Sequence, residues 1–343
     1  MPVVARGTVI ALMVGIVVVG SAVPAGAHQE WFVNAPETYP PDFGALLRPG
    51  VVLAVAATVA VTLLLRSVAA RLPAPELAMI KPTRRLASLV PWVPRLLAAH
   101  LGFSLLVLAF DGAFLEPGIH VPDGAGGILL LVPQAMVGGL LIAGVLVRAA
   151  SVAIMLTAPL LVALQGPEAL VILAVFVGIA AFLFVLPPRL KDGGRMDLDL
   201  PKLRRATFGL KLGAGVTLIS LAVVEKLANP EMARAMLEQE PLLNILAPFG
   251  VSADAFAVVA GSIELLFGLL IISGAMPQVV AILAAVPFTA TLALFGTTEF
   301  LGHLPLYGVL LAFLVLGSLE ETSRSLSGLR RRARTPVRSG KSV

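Results

Sequence analysis

The residues able to do chemistry are few, and most sit in apolar surroundings. Glu264 lies near the middle of an apolar stretch and is flanked by Gly261, Ser262 and Gly268. A charged carboxylate at that depth costs on the order of 3 kcal/mol on insertion scales, so it needs a partner, water or a bound proton. Two readings follow: a proton- or ligand-binding carboxylate, or a protonated acid making an interhelical hydrogen bond. Glu225 and Lys226 are adjacent at the end of another apolar stretch. Glu299, His303 and Tyr307 are spaced by four and share a face if one helix carries all three. A carboxylate beside an imidazole suits proton transfer or metal binding. Gly302 and Pro305 count against that continuity, because proline starts a helix better than it continues one. The alternative is a polar outer loop with a capping histidine. Asp111, Glu116, His120 and Glu168 are further outward polar groups, expected with Glu225 and Lys226 at solvated helix ends.

His28 follows Ala25-Gly26-Ala27, an A-x-A cleavage pattern behind a basic Arg6 and the apolar stretch Val9 to Gly20. Cleavage makes His28 the mature N-terminus. Its amino nitrogen and imidazole together suit Cu(II), with Glu30 nearby and His120, or His303 with Glu299, as further ligands. The alternatives are an uncleaved first helix and a histidine placed there by chance. His100 is the only histidine inside an apolar span, and bis-histidine haem within the bundle needs two. With no cysteine, covalent haem, iron–sulfur clusters and thiolate zinc sites are excluded. No HExxH, P-loop, GxGxxG or GxSxG arrangement is present.

The elements that must position these groups are membrane helices. Of 343 residues, 58% are apolar and only 13% charged, where a soluble domain carries about 25% charged. The composition predicts an all-α, polytopic membrane protein and excludes a soluble enzyme, a disordered chain and a nucleic-acid-binding domain. After a signal peptide (1–27) and an extracytoplasmic segment (28–49), nine apolar stretches follow: 50–66, 96–114, 127–147, 149–166, 169–187, 207–224, 255–274, 279–296 and 304–318. With the mature N-terminus outside, 21 of 25 Lys/Arg fall on the inner side, in Arg66 with the basic loop that follows it (67–95), Arg148, a linker (188–206) with the start of the next span, and the tail (319–343). Arg48, Lys226 and Arg234 face out. This positive-inside bias puts the C-terminus in the cytoplasm and reads the basic tail as a topology anchor against anionic lipid, not as a nucleic-acid patch.

Spans two to five (96–187, unit A) and six to nine (207–318, unit B) read as parallel copies of one four-helix unit. A shift of 113 residues takes Gly102 to Gly215 and Pro117 to Pro230. A shift of 130 takes Gly138, Gly144 and Gly166 to Gly268, Gly274 and Gly296. The alternative is chance similarity among apolar helices. Gln134 corresponds to Glu264, Gly112 to Glu225 and Ala113 to Lys226, so the ionisable groups belong to unit B.

Unit B, over roughly Thr207 to Gly317, resembles the DoxX family of membrane proteins. The resemblance rests on Glu225-Lys226 with Asn229-Pro230, Glu264-x3-Gly268-x5-Gly274, Pro287-Phe288, Gly296 and Glu299-Phe300-Leu301-Gly302-His303-Leu304-Pro305. It implies a four-helix membrane bundle, in a family named for a subunit associated with archaeal quinol oxidation and thiosulfate:quinone chemistry. The implied role is an accessory, non-catalytic component of the bacterial cytoplasmic membrane, beside a respiratory or redox complex and linked to quinone. The chain departs from the family's single unit in being doubled, preceded by an extra span, and poor in polar residues in unit A. The repeat, mid-membrane Glu264 and outer histidines also suit a different class, a transporter or extracytoplasmic copper-handling protein.

Overall fold

The computed structural model describes residues 38–72, 84–117, 119–121, 123–165, 170–189 and 192–327, with Val33. The expected signal peptide, His28, Glu30, Glu168 and the tail from Gly328 onward lie outside the described residues. The chain runs through α1 (Pro49–Ala69), α2 (Val93–Phe110), α3 (Ala125–Ala143), α4 (Val147–Gln165), α5 (Leu170–Val185), α6 (Leu200–Leu221), α7 (Pro230–Gln239), α8 (Ala253–Ser273), α9 (Pro277–Leu316) and α10 (Glu320–Ser327). Among the described residues there is no strand, only isolated bridges between Ala113 and His120 and between Arg189 and Arg195.

Six helical stretches are long and apolar enough to cross a membrane: Pro49–Ala69, Arg85–Phe110, Ala125–Ala143, Leu200–Leu227, Ala253–Ser273 and Glu299–Leu316. Val147–Pro159, Leu173–Val185 and Pro277–Leu292 are further apolar helical segments among the described residues. All nine apolar stretches are therefore helical where they are described. The outer faces carry exposed Leu53, Leu63, Leu64, Phe110 and Phe208, which suits a helical, multi-pass protein in lipid and no aqueous surface.

Lipid gives helices no hydrophobic reason to associate, so packing rests on close backbone approach. At the α2/α3 crossing, a Cβ on Gly102 or Gly138 would stand 2.7 Å from the other's carbonyl oxygen. Gly215 and Gly268 bring α6 and α8 together in the same way, at 2.9 Å. Ile142 and Ile272 close over Gly102 and Gly215 respectively. The α5/α6 crossing uses Gly178 and Gly213, where a Cβ on Gly213 would collide with the Ala174 carbonyl. At the α2/α9 crossing, Gly308 receives the His100 side chain. Leu97, Leu101, Leu105, Leu210, Leu218, Val309 and Phe313 belong to one continuous core through these crossings.

The helix ends obey local rules. Asp199 caps α6 through the Lys202 amide, and the hydrogen bond from the Lys202 side chain holds its carboxyl below the usual carboxylate range. The α3–α4 and α8–α9 connections match closely: Gly144 and Gly274 are left-handed caps (φ 73 and 68), and Leu146 and Met276 have φ 49 and 46. Within α9 the helix breaks at Gly296 (φ 67, ψ −138), a conformation open only to glycine.

The glycine crossings predict a sharp contrast. Gly213→Leu forces α5 and α6 apart and lowers unfolding stability in detergent by about 1–3 kcal/mol, the range for overpacking. Gly139→Ala, whose Cβ would meet nothing within 4 Å, leaves it unchanged within about 0.5 kcal/mol. Equal effects in a thermal-unfolding assay would refute the assignment.

Candidate functional site

The end of α6 is where adjacent acid and base are turned inward. After Leu221 the helix widens into a π-helical turn, Ala222–Leu227. It closes with the Ala228 N–H donating to the Val223 carbonyl, one residue further than in an α-helix. This turn buries Glu225 completely and leaves the Lys226 side chain only 16% exposed. Lys226 Nζ lies 2.9 Å from Glu264 Oε2 and 3.6 Å from Glu225 Oε2. Glu264, on α8, therefore has the partner its depth demands, and one ammonium bridges two carboxylates. Gly261, one turn before Glu264, makes the approach possible: a Cβ there would press on Lys226 Cβ and Leu227.

Glu225 and Lys226 differ from the solvated helix ends expected for them. The π turn and a cover of neighbouring apolar groups are the physical reason. Val51 of α1 packs with Ala222, Leu227 and Leu265, and Leu46 and Val55 join them. Outside this, the Asp42 N–H donates to the Ala228 carbonyl, and Asn229 Nδ2 donates to the Tyr39 carbonyl. Asn229 Oδ1 also accepts from the Met232 N–H, capping α7. Helix α1 and the segment before it thus close over the triad.

The second group lies on α9. Glu299, His303 and Tyr307 belong to one helix, Glu299–Leu316, which runs through Pro305 without a break. The expectation that Pro305 restarts the helix gives way for a definite reason. Proline removes the N–H that would bond the Leu301 carbonyl, and Ser104 Oγ of α2 donates to that carbonyl at 3.1 Å. His303 Nδ1 lies 3.3 Å from Glu299 Oε1 and 3.2 Å from the Glu299 carbonyl oxygen. Both side chains are buried, Glu299 fully, so the dyad is not a polar loop. The Phe288 ring lies 4.8 Å from the imidazole, and Tyr307 meets its edge at 6.5 Å.

The remaining candidates are dispersed. Glu116 is buried in the turn after α2, while Asp111 and His120 are exposed. Gln134, in the place corresponding to Glu264, is fully occupied: it accepts from the Leu115 N–H and donates to the Leu105 and Ala113 carbonyls. Among the described residues no three His, Asp or Glu side chains converge as a metal set, so Glu299 and His303 stand there as a pair. Ser104 carries no signal in the sequence, because the Leu301 carbonyl it meets belongs to a distant helix.

Removing the shared cation tests the triad. Lys226→Met strands two buried carboxylates and costs about 3–5 kcal/mol of unfolding free energy. Adding Glu264→Gln recovers part of that loss. Strict additivity in a double-mutant cycle would mean that the two side chains do not interact. Neither a family model, a curated protein nor a solved structure matches the chain.

Proposed function

We propose that the protein is a DoxX-like component of the bacterial cytoplasmic membrane. In this reading a cleaved signal peptide precedes nine crossings, with the mature N-terminus outside and the C-terminus in the cytoplasm. Spans two to five and six to nine form two parallel four-helix units. The repeat is supported by contacts that recur at the same offsets. The Gly102/Gly138 crossing with Ile142 is echoed by Gly215/Gly268 with Ile272, and the Gly144–Leu146 turn by Gly274–Met276. The Gly178/Gly213 crossing is echoed by Gly308/His100.

Its role in this reading is that of an accessory component of redox or quinone metabolism, in which unit B binds a proton or a small ligand at the outer side. The observation that carries this is the buried ionisable set: Glu225, Lys226 and Glu264 in contact, and Glu299 against His303. Quinone chemistry couples electrons to protons and needs titratable groups within the membrane. A purely structural use of so many charges is costly, since apolar residues of the same volume pack as well or better. Purification in gentle detergent is expected to retain a quinone or a redox partner, and Lys226→Met and Glu264→Gln to lower that retention several-fold. A wild-type sample with neither would remove the redox part.

The buried Glu299/His303 pair favours one alternative, an extracytoplasmic metal-handling protein or transporter with His28 as a further ligand. Metal analysis of the purified chain then shows copper that falls in His28→Ala and His303→Ala. For proton-coupled transport, Glu264→Gln alters uptake into vesicles. Near-zero metal throughout and unchanged uptake would dismiss both forms.

A further inference from the structure

The end of the bundle where α1 and α8 begin carries an apolar surface that the described residues leave open. Between α7 and α8 the chain makes two single 3-10 turns, Pro241–Leu243 and Ala247–Phe249, and neither has a buried residue. Leu242, Ile245 and Phe249 are 77%, 72% and 82% exposed. Residues 241–253 contain no charged side chain. An open apolar patch of this kind marks a contact with lipid or protein.

The local structure favours lipid. An apolar segment entering a bilayer must satisfy its own backbone, because hydrocarbon offers no hydrogen bonds. Here the N–H groups of Leu243, Asn244, Ile245, Ala247, Phe249 and Gly250 each donate to a carbonyl within residues 240–247. Pro241 and Pro248 have no N–H to satisfy. The Asn244 side chain donates to the Val251 carbonyl and closes the loop on itself. Its base is tied where Arg234 of α7 donates to both carboxylate oxygens of Asp254 on α8.

The height of the loop follows from α8. Its 21 residues span about 31 Å at the α-helical rise, close to the ~30 Å hydrocarbon core. Ala253 therefore stands at the edge of that core. Phe249 is four residues earlier, a reach of at most about 14 Å. Exposed apolar side chains continue across this edge. Val259 and Ile263 follow on α8, and Phe43 and Leu47 lie in the turn that leads into α1. The neighbouring charges are acidic. Glu231 and Glu238 of α7 are exposed, and Arg234, the cation of that helix, is paired with Asp254. The flank therefore has no attraction for anionic headgroups.

We infer that residues 241–250 form an interfacial anchor, with Leu242, Ile245 and Phe249 inserted among the headgroups and upper acyl chains of the adjoining leaflet. The anchor holds α7, the helix that follows the π turn, at the membrane surface. It acts through apolar area, so it takes neutral and anionic lipid alike. It uses none of the ionisable groups of the triad.

The chain has no cysteine, so one introduced cysteine gives a unique spin label. Leu242→Cys, Ile245→Cys and Phe249→Cys are labelled separately in the full chain, in nanodiscs of dioleoyl phosphatidylcholine. Collisions with oxygen, which concentrates in lipid, are compared with collisions with a water-soluble nickel chelate. Glu238→Cys, at an exposed position of α7, is the water reference. Leu63→Cys, at an exposed position within α1, is the lipid reference. The oxygen-to-nickel ratio at the three loop positions exceeds that at Glu238 several-fold and does not change when phosphatidylglycerol is added. In Phe249→Cys, the further substitution Ile245→Glu lowers the ratio toward the water reference. These residues are exposed, so the labels do not threaten folding. A loop ratio equal to that at Glu238 would put the segment in water. Weak collisions with both reagents would put it against protein, a second copy or another chain. Either result overturns the proposal, as does insertion that requires phosphatidylglycerol.

Discussion

Everything in this bundle depends on backbones touching where lipid gives helices no other reason to associate. The constraint falls hardest on α6. Gly213 presses it against α5, and Gly215 presses it against α8. With two neighbours held at backbone distance, α6 has no freedom to slide or turn. Its register therefore fixes what lies at both ends: Lys211 against Leu326 on one side, and Glu225 and Lys226 on the other. The ionisable groups are placed by residues that have no side chains.

Much of this arrangement is legible in the sequence, and the rest is hidden for definite reasons. Glycines at matched offsets mark the crossings because small residues have few other uses inside apolar helices. Glu264 advertises itself because a carboxylate in an apolar stretch needs an explanation. The burial of Glu225 and Lys226 is not legible. Acid and base at the end of a helix read as solvated, and nothing in Ala222–Leu227 announces a π turn. Pro305 misleads for a different reason. The hydroxyl that satisfies the freed Leu301 carbonyl belongs to Ser104, 197 residues away in sequence.

Gln134 and Glu264, two polar residues inside apolar helices, are satisfied by opposite electrostatics. Gln134 meets neutral carbonyl and amide groups. Glu264 meets an ammonium. A satisfied amide in a bundle is cheap, whereas an ion pair requires desolvating both charges. The surroundings of Glu264 meet that demand with a cover from α1 and the segment before it. Val51 and Val55 of α1 cover Ala222, Leu227 and Leu265, and the Tyr39–Asp42 segment is tied to Ala228 and Asn229. Helix α1 is thus packed where the charges are.

This geometry also restricts how these groups can act. Lys226 contacts both Glu225 and Glu264, so the three side chains form one coupled unit. Glu299 and His303, in contact on one helix face, form a second such unit. For the triad, the contact depends on the π turn, which closes with the Ala228 N–H donating to the Val223 carbonyl and carries both Glu225 and Lys226. Ordinary α-helical hydrogen bonding over Ala222–Leu227 would shift both side chains together, because they are neighbours on that one turn.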